Sequence, residues 1–279
     1  MAIVEQLWRY PVKSMQGGTE ASVRLDPLGI VGDRTWATRD LERGGIRGAK
    51  QLGGLMAFAA EYPGGDATRP PVVTLPDGTR VAVDAAGASE RVSAALGRSV
   101  RLEPLAPADD LDHYRRGPSD GTDPIAGLRE VFALEADDPL PDMSVFPPVI
   151  FEYESPPGTY YDAFPLVIMT SASLRELARR APDSTIDVRR FRPSILLDGD
   201  GDGFAEQSWS GRRARLGTAT VAIVAPCPRC IMVTRAFADL PEDRRIMRTL
   251  VRENAQCLGV YATVVEPGVV RVSDALELL

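Results

Sequence analysis

Two thiols stand two residues apart in Pro226-Cys227-Pro228-Arg229-Cys230, directly after an apolar run. An arginine lies between them. A cationic neighbour favours thiolate over thiol, and the thiolate is both the nucleophile and the metal ligand. Three chemistries compete for this pair. A structural zinc site needs four ligands, and the only others of the usual type are Cys257 and the single histidine, His113. A thioredoxin-like redox pair opens a helix in a βαβ unit, whereas Ile231-Met232-Val233-Thr234, which follows here, reads as β-like. The third is one thiolate binding a soft metal or a reactive cofactor. Two buried small residues are the plain structural alternative. Three cysteines in all, late in the chain, do not make a secreted disulfide framework.

Cations form the second group of candidates. Thirty of the 32 basic residues are arginine, and the two lysines are Lys13 and Lys50. Leftover lysines in an arginine-biased chain are one reading. The other is that these positions need a compact ammonium rather than a planar fork. Lys13-Ser14 offers an ammonium and a hydroxyl after the apolar run ending at Tyr10-Pro11, but no Gly-x-x-x-x-Gly-Lys-Ser/Thr loop accompanies it. Arg189-Arg190-Phe191-Arg192-Pro193 puts three arginines in four positions, an exposed basic edge or a bidentate anion site. Asp198-Gly199-Asp200-Gly201-Asp202-Gly203 resembles a calcium loop, yet the twelfth position is Trp209 where a bidentate glutamate is needed. It reads as an acidic turn.

Short strands punctuated by Gly and Pro must position these groups. Ile3–Tyr10, Ala21–Leu25 and Arg34–Arg39 read as strands, and Val72–Leu75 and Thr79–Val83 as a hairpin around Pro76-Asp77-Gly78. A helix is expected over Ser89–Leu96, stopped by Gly97. Residues 104–160 read as a linker and long surface excursion. Beyond it come a strand at Phe164–Met169 and a helix with Ser173 and Glu176 as capping box. Strands at Ser194–Leu197 and Val221–Ala225 follow, then a helix from Asp239 to Asn254. Strands at Val260–Val265 and Val269–Val272 close the chain. The expected fold is mainly β with a few helices, divided into residues 1–120 and 121–279.

The net charge of −7 argues against a general nucleic-acid binder. No apolar run approaches a membrane span, and the N-terminus lacks a signal-peptide pattern. The expectation is a cytoplasmic protein with no membrane association.

Five segments together resemble the MOSC family, named for the C-terminal domain of molybdenum cofactor sulfurase, in its two-domain branch with an N-terminal β-barrel. They are Tyr10-Pro11-Val12-Lys13-Ser14, Gly32-Asp33-Arg34, Arg190-Phe191-Arg192-Pro193, Phe204-Ala205-Glu206-Gln207-Ser208-Trp209 and Pro226-Cys227-Pro228-Arg229-Cys230, in family order. The resemblance implies a MOSC β-barrel domain plus a smaller N-terminal β-barrel domain, with a molybdenum–molybdopterin cofactor between them. It makes Cys230 the molybdenum ligand and the catalytic residue. It places the pterin phosphate on Lys13, Ser14, Arg34 and Arg192, with Arg190 in the same block and Tyr261 on the penultimate strand. Lys50 falls where relatives usually carry arginine, and Arg229 is positioned to orient or polarise the metal-bound group. Ser194 stands where the family has asparagine, with a shorter reach and one donor. Ala163-Phe164 follows Asp162 where relatives often carry small polar residues.

The activity so implied is molybdenum-dependent reduction of N-hydroxylated or other N–O small molecules. Some relatives end in a ferredoxin-like domain, and none follows Leu279, so a separate iron–sulfur or flavin reductase is the expected electron donor. Two other functions use the same residues: a sulfur-transfer protein carrying a cysteine persulfide, and a non-enzymatic carrier of the molybdenum cofactor.

Overall fold

The structure is a computed structural model that describes residues 2–118, 123–199 and 203–279. Its larger sheet closes on itself as a seven-stranded barrel. In order around the barrel the strands are Ile195–Asp198, Leu166–Thr170, Cys257–Glu266, Ala219–Pro228, Arg213–Leu216, Ala275–Leu278 and Ala2–Arg9, which pairs back onto the first. The closing ladder is antiparallel, with Ile3 opposite Asp198 and Leu7 opposite Ile195. Closure leaves no open sheet edge among these seven. Inward-pointing Val4, Leu7, Ile168, Ile195, Leu197, Val221, Ile223 and Val260 fill the barrel; the two-residue period of a strand sets Ile195 with Leu197 and Val221 with Ile223, and a bulge between Val4 and Gln6 brings Leu7 to the inner face. The barrel is thus built from both ends of the chain.

An eighth strand, Gly18–Glu20, pairs with the far end of Ala2–Arg9, and the other strands make three small sheets. Trp36–Asp40 pairs with Val100–Pro104 and Ile46–Arg47, and Ala59–Glu61, Val72–Thr74 and Arg80–Ala82 form a meander. Ser22–Asp26 lies between Gly29–Ile30 and Gly268–Arg271. A second core joins Val12, Met15, Leu55, Met56, Phe58, Val73, Val81, Val92 and Leu102 to Met232, Phe237 and Leu240 from the other half of the chain. Cys230 packs partly against this cluster. Its position is therefore set at the edge of this second core.

Several elements differ from expectation for local reasons. The helix after the strand Leu166–Thr170 begins at Ser171, and its cap is Thr170, whose Oγ1 accepts from the Ser173 N–H at 3.1 Å. Glu176 does not reach back; it pairs with Arg179 and Arg180. The helix expected from Asp239 starts at Arg245, because Phe237 and Leu240 exchange backbone hydrogen bonds in a tight turn. Ile231–Thr234 is a 3-10 turn rather than β, closed by the Thr234 hydroxyl donating to the Ile231 carbonyl at 2.8 Å. A last strand, Ala275–Leu278, was not foreseen and completes the barrel. Residues 104–160 are more than a surface excursion. They hold helices at Leu111–Tyr114, Pro124–Val131 and Val149–Glu152 and bury Tyr114, Phe132, Phe146, Ile150, Tyr153 and Tyr160. Parts of the loop at Gly117–Gly121 and of the acidic turn at Asp198–Gly203 lie outside the described residues.

Glu206 ties this architecture together. It is fully buried, and its Oε2 accepts from Thr170 Oγ1 and Ser173 Oγ, fastening its own 3-10 turn to the helix cap. Its other oxygen, Oε1, has no hydrogen-bond partner. Burial raises its pKa above the ordinary glutamate value. A raised carboxyl pKa means stability fully present below the unfolded pKa and lost as pH rises through the folded one. Glu206→Gln is therefore expected to raise stability at pH 8 by about 1 kcal/mol and to have little effect at pH 4. Thermal melts of both proteins across that range check this; a gain at pH 4 equal to that at pH 8 would contradict it.

Candidate functional site

Lys13 follows the opening barrel strand through Pro11, and its backbone is fixed by donation from Lys13 N to the Trp36 carbonyl at 2.8 Å. Its ammonium is nearly buried. Nζ donates to Asp162 Oδ1 at 2.7 Å, the Tyr160 carbonyl at 2.8 Å and Ser155 Oγ at 3.3 Å. Lys50 Nζ meets the other oxygen of the same carboxylate, Asp162 Oδ2, at 2.9 Å. The two lysines of the chain thus share one aspartate. Asp162 is held well below the usual carboxylate range: burial works against ionisation, and the two ammonium groups outweigh it. Burial pushes Lys13 down, while Lys50 moves up because Asp162 and then the Cys230 sulfur favour its charge.

Ser14 adopts φ +69°, a left-handed conformation that costs a non-glycine residue about 1 kcal/mol. Its Oγ accepts from the Ala49 N–H at 2.8 Å. Gly48 makes that approach possible, since a Cβ there would lie 2.7 Å from Ser14 Oγ. Arg34 and Arg192 share the left-handed region at φ +49° and +51°. Both guanidinium groups lie against the Tyr10 ring, at 5.3 and 4.1 Å from its centroid, where the π face favours cations. Arg34 pairs with Asp33. Arg192 donates Nη1 to the Met15 carbonyl at 2.6 Å, and burial lowers its pKa to about 10.

Arg190 borders the same cavity, but its guanidinium donates to the carbonyls of Thr185, Val233, Arg235 and Pro241. It ties neighbouring turns together. Ser194 is fully buried, receives the Val167 N–H on Oγ at 3.2 Å, and is not among the cavity-lining residues.

The thiols sit at the end of the strand Ala219–Pro228. Cys227 is buried, and Arg229 Nη1 donates to its Sγ at 2.9 Å. The intervening arginine therefore serves the first thiol; its Nη2 donates to the Phe191 carbonyl at 2.7 Å and contacts Met169 Sδ. Cys230 is half-buried and lines the cavity. Burial raises its pKa, and Lys50, ahead of Arg229, pulls it back. Tyr261 faces the same space, with its phenol raised by burial and by the adjoining Cys227 sulfur.

Lys13, Ser14, Arg34, Lys50, Arg190, Arg192, Arg229, Cys230 and Tyr261 all border one cavity of about 320 Å³. Two features were missed. Asp162 was read only as a neighbour of a family departure, although it joins both lysines. The apolar wall from residues 128–164, including Leu128, Phe132, Met143, Phe146, Ile150 and Phe164, was not legible at all. Only its scattered aromatics in a Pro/Asp/Gly-rich stretch could have signalled it.

The donor set favours a group that is anionic at one end and carries a soft metal at the other. Arg192 Nη2 and Arg229 Nε are buried without hydrogen-bond partners, and unsatisfied buried donors are costly unless something else binds them. Among the described residues no three His, Cys, Asp or Glu side chains converge on one metal position. A metal bound by Cys230 would then have to arrive with its own chelator. A soft thiolate beside several cations suits such a group.

Fold and site together define a mainly β protein in which cations from distant parts of the chain and two thiols, Cys227 and Cys230, border one cavity. The chain belongs to the MOSC family: residues 157–277 match the MOSC domain and residues 1–113 the MOSC N-terminal beta barrel domain. It is similar to mitochondrial amidoxime-reducing component 1 of Mus musculus, 29% identical over 133 residues, which is 43% of this chain and 38% of that protein. Mitochondrial amidoxime reducing component 2 of Homo sapiens is 32% identical over 128 residues, 41% of this chain and 37% of that one. The matched stretch thus spans well under half the length of these relatives. The YUAD protein from Bacillus subtilis superposes over 99% of this chain and 94% of its own at 13% identity with a TM-score of 0.45. No helix among the described residues is long and apolar enough to cross a membrane.

Proposed function

We propose that the protein is a molybdenum-cofactor-dependent reductase of N-hydroxylated or related N–O compounds. One observation carries this reading: Cys230 borders the same cavity as Lys13, Arg34 and Arg192, which come from distant parts of the chain. Cys230 would supply the single protein sulfur to molybdenum. Lys13, Ser14, Arg34, Lys50 and Arg192 would hold the anionic end of the pterin, with Arg192 Nη2 gaining the acceptor it lacks. The bound cofactor supplies the two-electron chemistry that cleaves an N–O bond.

The chain's own residues do the positioning. Arg229 fixes the turn between the two cysteines through Cys227 and the Phe191 carbonyl, and so aims Cys230 into the cavity. Tyr10 holds Arg34 and Arg192 in register on its ring. Asp162 keeps both lysines charged and in place. The apolar wall excludes water from the sulfur side. Electrons would come from a separate iron–sulfur or flavin protein, and localisation to the cytoplasm belongs to the same proposal.

The test is molybdenum and pterin content of protein purified from a molybdenum-replete host, followed by reduction of a hydroxylamine by the chemically reduced protein. About one molybdenum per chain with turnover is expected. Bound pterin without turnover would make the protein a carrier. No molybdenum, together with a mass increase of one sulfur on a cysteine, would make it a sulfur-transfer protein.

A further inference from the structure

Part of the cavity wall is aromatic in a way the proposed chemistry does not require. Tyr261 carries Phe164 at 4.7 Å between ring centroids, tilted by 32°, and Phe146 at 6.0 Å, nearly edge-on at 66°. Ile150 packs in the same cluster as Phe146 and Phe164. At its border Phe151 lines the cavity and is 56% exposed. The chain couples the two sides directly. Asp162 holds the lysines, and two residues later Phe164 joins the wall. A ligand in this cavity therefore meets charged groups and thiols together with ring faces and edges.

We propose that Phe146 and Phe164 form a specificity subsite for a flat aromatic group of the substrate, whose polar head lies on the Lys50–Cys230 side. This names the substrate class for the reductase reading and rests on it. Pockets bind small molecules mainly through apolar and aromatic walls, with a few polar groups fixing orientation. Offset and edge-on ring contacts select a planar ring over an aliphatic chain of similar size. Phe164 is the specificity-determining residue because it is half-buried at the cavity, whereas Phe146 is nearly buried beneath the wall.

Benzamide and hexanamide are suitable probes because both are neutral, similar in size and without an N–O bond to reduce. NMR titration of the purified protein is expected to show benzamide binding at least about fivefold tighter than hexanamide. Phe164→Ser is expected to weaken benzamide about fivefold and hexanamide by a smaller factor. Phe164→Leu, which keeps the apolar volume, is expected to weaken benzamide by a smaller factor. Equal binding of the two amides by the unaltered protein overturns the proposal, as does unchanged benzamide affinity in the variants. The comparison on the unaltered protein decides the matter even if Phe164→Ser fails to fold. Failure here with molybdenum present removes only the substrate class; absence of molybdenum removes the reductase reading and leaves benzamide binding measurable.

Discussion

On the proposed function, Cys230→Ser is expected to give a folded protein without the molybdenum that the unaltered protein would carry. Oxygen in place of sulfur turns a soft ligand into a hard one. Changes that only touch a metal's outer shell weaken binding by about 10- to 100-fold, so loss of the thiolate proposed as the protein ligand would exceed that range. Stability is a separate matter. Cys230 is half-buried at the start of a short 3-10 turn, and its side chain caps nothing there. Substitutions at such places change stability by about 0.5 kcal/mol. The informative comparison is Cys227→Ser. That thiol is 1% exposed and accepts from Arg229. Serine keeps an acceptor but leaves a smaller atom in a packed site, a loss of about 1 kcal/mol. Metal analysis and thermal melts should thus separate the two positions: Cys230→Ser folded and empty, Cys227→Ser less stable and still loaded. The reverse pattern would assign the metal to Cys227.

Five of the seven barrel strands were legible as short apolar runs; Arg213–Leu216 and Ala275–Leu278 were not. Val4, Leu7, Val221, Ile223, Val260 and Ala262 lie in those runs and all point inward. Closure was not legible, since the pairing of Ala2–Arg9 with Ile195–Asp198 joins residues nearly 200 positions apart. Local composition misled at Ile231–Thr234, where branched side chains suggested a strand and a hydroxyl-to-carbonyl bond makes a turn. In the site, two lysines among 32 basic residues were conspicuous by type, and both reach Asp162. The arginines could not be sorted that way. Arg190 and Arg192 are two positions apart, yet one is committed to four carbonyls and the other keeps a free Nη2. What distinguishes them is the left-handed backbone at Arg192, which nothing in a non-glycine residue announces. The same holds for Ser14 and Arg34. Three site residues outside their favoured backbone region are a strain concentrated at the cavity.

Lys13→Met is expected to be the most destabilising single change at the site, by about 3 kcal/mol. The ammonium is 7% exposed and fastens the first turn of the chain to Ser155, the Tyr160 carbonyl and Asp162. Methionine matches its length and removes every donor. The Tyr160 carbonyl then loses its Lys13 partner, at about 1–2 kcal/mol. Asp162 retains Lys50 and is 46% exposed, so its share falls short of the cost of an isolated buried charge. Lys50→Met is the contrast. Lys50 is 26% exposed and shares the carboxylate with a better-buried partner, so its loss costs under about 1 kcal/mol. For a chain of this size the Lys13 change corresponds to a melting shift of about 6–12 °C. Hydrogen exchange should speed up across residues 155–162 in the Lys13 variant and stay unchanged at the far side of the barrel. A shift below about 2 °C, or equal shifts for the two lysines, would show that the shared carboxylate and not the buried ammonium holds these segments together.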